Sequence, residues 1–371
     1  MPAVVADAQR ALRSSFETYR MGYVVHARWV KTSRCSNMSA YPSQIVDTTE
    51  ANRPSRSLRR PSRWLPALAV SSAVSAYALI IFGSHVRVSD SGMGCPDWPL
   101  CDGSFGPIYE FHALMEQTHR YLAVVVTVLA LATAVRALRP RPRSVAVRPA
   151  FFTVAVIVVQ IALGALTVIA GNGAPTVAAH LLVGVAMLGG ATVTAVCTLV
   201  PRRVTPGPRL GSVGWVAIAA AGVLFVSGSL VVNAEAEQAC ASFPFCPPDQ
   251  PGALVWLHLL HRGVALLAAI ALVTFSIRVW RRWSVVRGAR VLAATLAALV
   301  VATAGLGIMS ALLKAPPSLQ DLHLAGAAGV LAVSIAAAAL GWLRGADCPG
   351  EEPDDDRPAF AGPAKSTGAR R

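Results

Sequence analysis

Eight apolar runs of about 20 residues recur along this chain, each long enough to cross a hydrocarbon core about 30 Å thick. They fall at 64–82, 114–135, 150–170, 176–200, 214–232, 253–277, 291–313 and 319–343. Only 14% of the 371 residues are charged, against about 25% in an ordinary soluble domain. Soluble helices of this length carry a charged face, which these runs lack. The expected fold class is therefore an all-α polytopic membrane protein.

The formal charge of +14 raises the question of a nucleic-acid partner, and its placement answers it. Arginines cluster at Arg136, Arg139, Arg141, Arg143 and Arg148, at Arg202, Arg203 and Arg209, and at Arg278, Arg281, Arg282, Arg287 and Arg290. The alternate loops hold only Arg87 and Lys314 as basic residues, beside Asp90, Asp97, Asp102, Glu110, Glu235, Glu237 and Asp249. Alternation of this kind is the positive-inside pattern of a multi-pass protein. It predicts a cell-membrane protein with lipid as its partner, both termini cytoplasmic, the acidic loops outside, and no nucleic acid.

Residues 1–63 are polar and rich in Arg and Ser, without an apolar leader, and 344–371 run from acidic to basic. Both are expected to be disordered cytoplasmic tails. Met38 opens a conventional short leader to the first span, so it competes with Met1 as the true start.

The chain also repeats itself. Cys95-PDWPL-Cys101 in the first outer loop is matched by Cys240-ASFPF-Cys246 in the third. A His-Arg pair follows each, His119-Arg120 in span 2 and His261-Arg262 in span 6. The next histidines are His180 in span 4 and His323 in span 8, and Gly164 and Gly307 each lie 16 residues before their histidine. Two tandem pseudo-symmetric four-helix bundles follow, 64–200 and 201–343, related by an axis along the membrane normal because four spans restore the orientation.

Ionisable groups inside a span are costly and face the bundle interior. His119 and His180 fall at similar depth below the outer face, as do His261 and His323, so each pair is placed to grip one iron from opposite sides. Imidazole is a common axial ligand of haem, and a four-helix bundle offers a slot for a flat macrocycle. The repeat breaks one turn earlier. Glu116 precedes His119, while His258 stands at the matching place before His261. A carboxylate there can move protons, or it can simply sit at the interface. Arg120 and Arg262 can pair with haem propionates, or snorkel to headgroups.

The four loop cysteines lie in a compartment that permits disulfides. Closing so short a loop stabilises by about 2 kcal/mol. A shaping role and a redox role both remain open. Cys197 reads as a buried apolar residue, and Cys35 and Cys348 as reduced thiols in the tails.

The stretch GSHVRVSDSGMGCPDWPLCDG (83–103), followed by Glu116-QTHR, resembles the signature of haem A synthases, over about residues 64–343. The resemblance implies an oxidoreductase acting on a CH group, which takes the C8 methyl of haem O to a formyl group through a hydroxylated intermediate. It implies haem b as cofactor on His261 and His323, and haem O as substrate between His119 and His180. Glu116 matches the family's essential acid, and Cys95–Cys101 and Cys240–Cys246 its loop pairs, carried as disulfides. Haem O synthase and an electron carrier are the implied partners, and association with a second copy stays open. Two rival readings share parts of the pattern. A bis-histidine haem b electron carrier would use the histidines but give Glu116 no task, and a quinone-linked thiol oxidase would rest on the loop cysteines alone.

Overall fold

The structure, a computed structural model, describes residues 64–106, 108–139, 144–200, 212–246, 252–283 and 287–345. The two expected tails, with His26, Met38, Cys35 and Cys348, lie outside these, apart from the last two residues of the final helix. So do Arg141, Arg143, Arg202, Arg203, Arg209 and Asp249.

The described residues form eight helices: α1 Trp64–Val88, α2 Phe111–Ala137, α3 Val147–Ile169, α4 Ala174–Leu199, α5 Ser212–Asn233, α6 Ala253–Arg282, α7 Arg287–Leu312 and α8 Pro317–Gly345. All eight are long and apolar enough to cross a membrane. Each matches an apolar run expected from sequence to within one residue at its shorter end, and most begin or end some residues beyond it. Prolines open two of them, Pro175 in the first turn of α4 and Pro317 at the start of α8, where the missing N–H costs nothing. Glu110 caps α2 by accepting the Ala113 N–H at 2.6 Å, and the N–H groups of Ala113 and His112 hold its carboxyl below the usual carboxylate range.

Turns recur in matched pairs. After α1 and after α5 the chain passes through a left-handed residue, Asp90 (φ 53°) and Glu235 (φ 56°), and an N–H reaches back five residues. These bonds are Ser91 to Val86 at 2.8 Å and Ala236 to Val231 at 2.9 Å. After α3 and α7 the same closure joins Asn172 to Thr167 and Ala315 to Ser310, both at 2.7 Å. Satisfying the last carbonyls this way lets a helix stop short and its successor return alongside.

Helix contacts run in two closed cycles. In the first, α1 packs on α2 and α4, and α3 on both α2 and α4; in the second, α5 packs on α6 and α8, and α7 on both α6 and α8. The cycles are joined through α4, α8, α1 and α5. In their most apolar stretches α4 and α8 are half buried, against 11% for α3 and 22% for α7, which take no part in the joint. Buried Gly184, Gly190 and Ala191 on α4 are small enough to let neighbouring helices close in. Large apolar side chains on the outer helices, such as Val124, Val128, Leu266 and Ile270, are exposed, as lipid-facing positions should be.

Candidate functional site

His119 lies eight residues into α2 and His180 six into α4, about 12 and 9 Å along their helices at 1.5 Å per residue. His261 and His323 repeat those depths on α6 and α8. His119 on α2 and His180 on α4 stand on opposite helices of the first cycle, and His261 on α6 and His323 on α8 on opposite helices of the second. Each pair that the repeat suggested thus falls within one cycle.

Each imidazole is seated against a glycine of the preceding helix. A methyl placed on Gly83 would stand 2.8 Å from His119 Cε1, on Gly164 3.2 Å from His180, on Gly228 3.3 Å from His261 and on Gly307 2.7 Å from His323. A side chain at any of these places would push its ring out of position. Gly164 and Gly307 stand out in the repeat; Gly83 and Gly228 become meaningful only when the neighbouring helix is in place.

The two pairs differ in what holds their rings. His261 Nδ1 lies 2.9 Å from Ser227 Oγ, whose hydroxyl donates to Leu224 O at 2.9 Å and is left to accept. His323 Nδ1 lies 3.0 Å from the Thr303 carbonyl, which can only accept. Both rings therefore carry their proton on Nδ1 and keep the Nε2 lone pair for a ligand, as metal-bound histidines do. In the first pair, His119 Nδ1 is buried without a hydrogen-bond partner, and its ring stacks on Phe82 at 6.4 Å. His180 Nδ1 is likewise buried and unpartnered, while its Nε2 meets Gln160 Nε2 at 3.1 Å. Unlike the second pair, neither ring of the first has an oxygen that fixes the proton on Nδ1.

Beside His119 sits Glu116, 5% exposed and the one buried acid among the described residues. Its Oε1 pairs with Arg120 at 2.5 Å and its Oε2 accepts the Cys95 N–H at 2.9 Å. His258, its counterpart, is also buried and its Nδ1 has no partner.

The cysteine pairs are closed, Cys95–Cys101 and Cys240–Cys246, at Cα separations of 4.8 and 5.4 Å. Arg120 donates to the carbonyls of Asp97 at 2.9 Å, of Pro99 at 3.3 Å and of Leu100. Arg262 does the same for its loop, reaching Pro244 O at 2.9 Å and Cys240 O at 3.0 Å. Each arginine thus pins its disulfide loop down over its histidine, and a propionate reaching either guanidinium would share it with these carbonyls. Cys197 is buried and free, as expected.

The two cycles meet close to both sites. Ser84, next to Gly83, donates to Asp321 Oδ1 at 2.6 Å, and His85 Nδ1 lies 3.0 Å from Asp321 Oδ2. Asp321 is two residues before His323. Tyr77 adds a bond to Ala325 O at 2.8 Å. The meeting of His85 with Asp321 could not be read from the sequence, since it depends on how the two cycles dock.

A family model described as a cytochrome oxidase assembly protein, COX15-CtaA, matches residues 66–110 and 109–335. The chain belongs to the COX15-CtaA family. The "Heme A synthase" of Symbiobacterium thermophilum is 31% identical over 258 residues, which are 64% of this chain and 84% of that protein. That of Bacillus pumilus is 29% identical over 228 residues, 54% of this chain and 71% of the relative. A "Protoheme IX farnesyltransferase" of Haloarcula marismortui is 35% identical over 129 residues, 34% of this chain but only 27% of that protein. In this chain Ser227, Thr303, Gln160 and Phe82 are neighbours of the four histidines that the sequence alone did not reveal. Their only signal is position, next to or one turn before a repeated glycine.

Proposed function

We propose that this chain is a haem A synthase, an enzyme of haem biosynthesis that oxidises the C8 methyl of haem O to the formyl group of haem A. One observation carries the reading: two imidazole pairs occupy equivalent glycine seats, and the buried residue three before the first histidine of each pair is a carboxylate, Glu116, in one and an imidazole, His258, in the other. Membership of a family that includes named haem A synthases supports it. The protoheme farnesyltransferase that shares a segment with this chain supports a farnesylated haem as substrate and haem O synthase as a partner.

In this reading His261 and His323 hold haem b, their Nδ1 protons fixed by Ser227 and Thr303. Bound there, haem b would supply one-electron transfer. His119 and His180 would hold haem O in the slot beside Glu116. Turning a methyl into a formyl group brings in an oxygen atom, from water or dioxygen, and sends electrons to an acceptor and protons to a base. Glu116 can take a proton at either Oε, and Arg120 with the Cys95 N–H holds the carboxylate in place between transfers. The disulfide loops, clamped by Arg120 and Arg262, cover the outer ends of both slots and limit water. Division into 64–200 for the substrate and 201–343 for haem b, with the loops outside and the termini in the cytoplasm, completes the proposal.

The test is chemical. The chain is expressed with a source of haem O, purified, and its haems are acid-extracted and chromatographed. Haem b together with haem A or the C8 alcohol is the expected result. Unchanged haem b and haem O alone would refute the synthase reading and favour the electron carrier.

A further inference from the structure

The two pairs of histidines repeat closely, but the groups that touch them do not. Phe82 precedes Gly83 as Ser227 precedes Gly228, and Gln160 stands one turn before Gly164 as Thr303 does before Gly307. In the second half both substitutions supply an oxygen that fixes Nδ1 and frees Nε2. In the first half Phe82 offers only a ring face, and Gln160 meets His180 at Nε2, the nitrogen that a bis-histidine haem would need. A lone pair can serve an amide N–H or an iron, but not both.

We propose that Gln160 is a positioning residue for haem exchange: its amide occupies His180 Nε2 when the first slot holds no haem and competes with the iron when it does. The proposal rests on the assignment of that slot to haem O. On entry of haem O the Gln160–His180 hydrogen bond breaks and an iron–Nε2 bond forms; on departure the order reverses. No electron or proton changes place. A substrate site has to release its product, whereas a cofactor site should not, and the two sets of neighbours differ in that sense.

The surroundings of Gln160 fit the role. Gly184, one turn beyond His180, leaves room for the amide: a methyl there would stand 3.1 Å from Gln160 Nε2. Among the described residues Gln160 Oε1 is buried without a partner, and one hydrogen bond, to His180, holds the amide in place. An amide held by one bond can swing away cheaply. Exchanging it for iron forfeits one hydrogen bond, a net difference that corresponds to about three- to tenfold in affinity.

The experiment uses the full chain in detergent with haem b bound, loaded with haem O. Transfer of haem O, and separately of haem A, to an excess of apomyoglobin is followed by absorbance. Gln160→Leu, similar in size but without a donor, and Gln160→Asn, too short to reach, should each slow haem loss about three- to tenfold. KM for haem O should fall, and kcat should fall with it if release limits turnover, while haem b content and its Soret band stay as in the wild type. Merely structural damage would loosen the slot and speed haem loss, the opposite sign. Unchanged or faster loss in both variants overturns the exchange role while leaving the synthase reading intact. A wild-type chain that takes up no haem O refutes both at once.

Discussion

Placing a methyl on each of the four seat glycines should cost the sites unequally, in an order set by distance. An ordinary carbon contact lies at about 3.5–4.0 Å. Gly307→Ala would put its Cβ 2.7 Å from His323 Cε1 and 3.1 Å from Nδ1, so the ring must retreat by about 1 Å. Yet that ring is tethered by its 3.0 Å bond to the Thr303 carbonyl, and retreat breaks it. Overpacking costs about 1–3 kcal/mol and the lost hydrogen bond about 1 more. Together they weaken haem b binding by roughly 30- to 1000-fold. Gly228→Ala meets His261 Cε1 at 3.3 Å, a few tenths of an ångström too close, and should cost under about 1 kcal/mol. Haem b per chain, measured by pyridine haemochrome on purified protein, separates the two: Gly307→Ala strongly depleted, Gly228→Ala near the wild type. In the first half Gly83→Ala, at 2.8 Å, should impair haem O binding more than Gly164→Ala, at 3.2 Å, with haem b retained in both. A full haem b complement in Gly307→Ala, or equal losses in Gly307→Ala and Gly228→Ala, would refute the seat argument.

Other substitutions test separate parts of the account. Glu116→Gln should leave haem b bound and stop oxidation of haem O; haem b loss measured in the same preparation would contradict the division of labour. Asp321→Ala removes the bonds from Ser84 and His85 and should lower stability by about 1–2 kcal/mol, seen as a lower Tm, whereas Asp321→Asn, which keeps an acceptor for Ser84, should lose less. Arg262→Ala frees the Cys240 and Pro244 carbonyls, and the Cys240–Cys246 disulfide should then be reduced faster by an added thiol; no change in rate would mean the arginine does not pin the loop.

Most of the architecture is legible in the sequence because a bilayer enforces it: backbone groups must be satisfied within each span, and the apolar runs announce the helices. The histidines and Glu116 are equally legible, since polar residues inside apolar runs stand out. What the chain hides is the partner of each such residue. Arg120 and Arg262 can be read as reaching for propionates or headgroups, and the structure commits both to loop carbonyls a score of residues back. The Ser84–Asp321 joint links positions 237 residues apart, and no local pattern foretells it.

The sequence repeat accounts for the likeness of the two halves, and the proposed division of use accounts for their differences. They extend beyond the histidine neighbours. Ser72, Thr133, Thr153 and Thr194 line a small cavity further down the first cycle, away from the disulfide loops. At the matching places of the second cycle stand Ala217, Phe275, Leu296 and Ala337, all almost fully buried in the apolar core. Filling that level with a phenylalanine and a leucine stiffens the second bundle; hydroxyls around a gap leave the first easier to deform. A slot meant to keep its haem gains from stiffness and from imidazoles locked by Ser227 and Thr303. A slot that must admit a haem and release it gains from slack, from a stacked Phe82 that fixes no tautomer, and from a Gln160 that competes for the ligand nitrogen. Three independent layers, the acid at 116, the ring neighbours and the packing beneath, thus break the symmetry in the same direction.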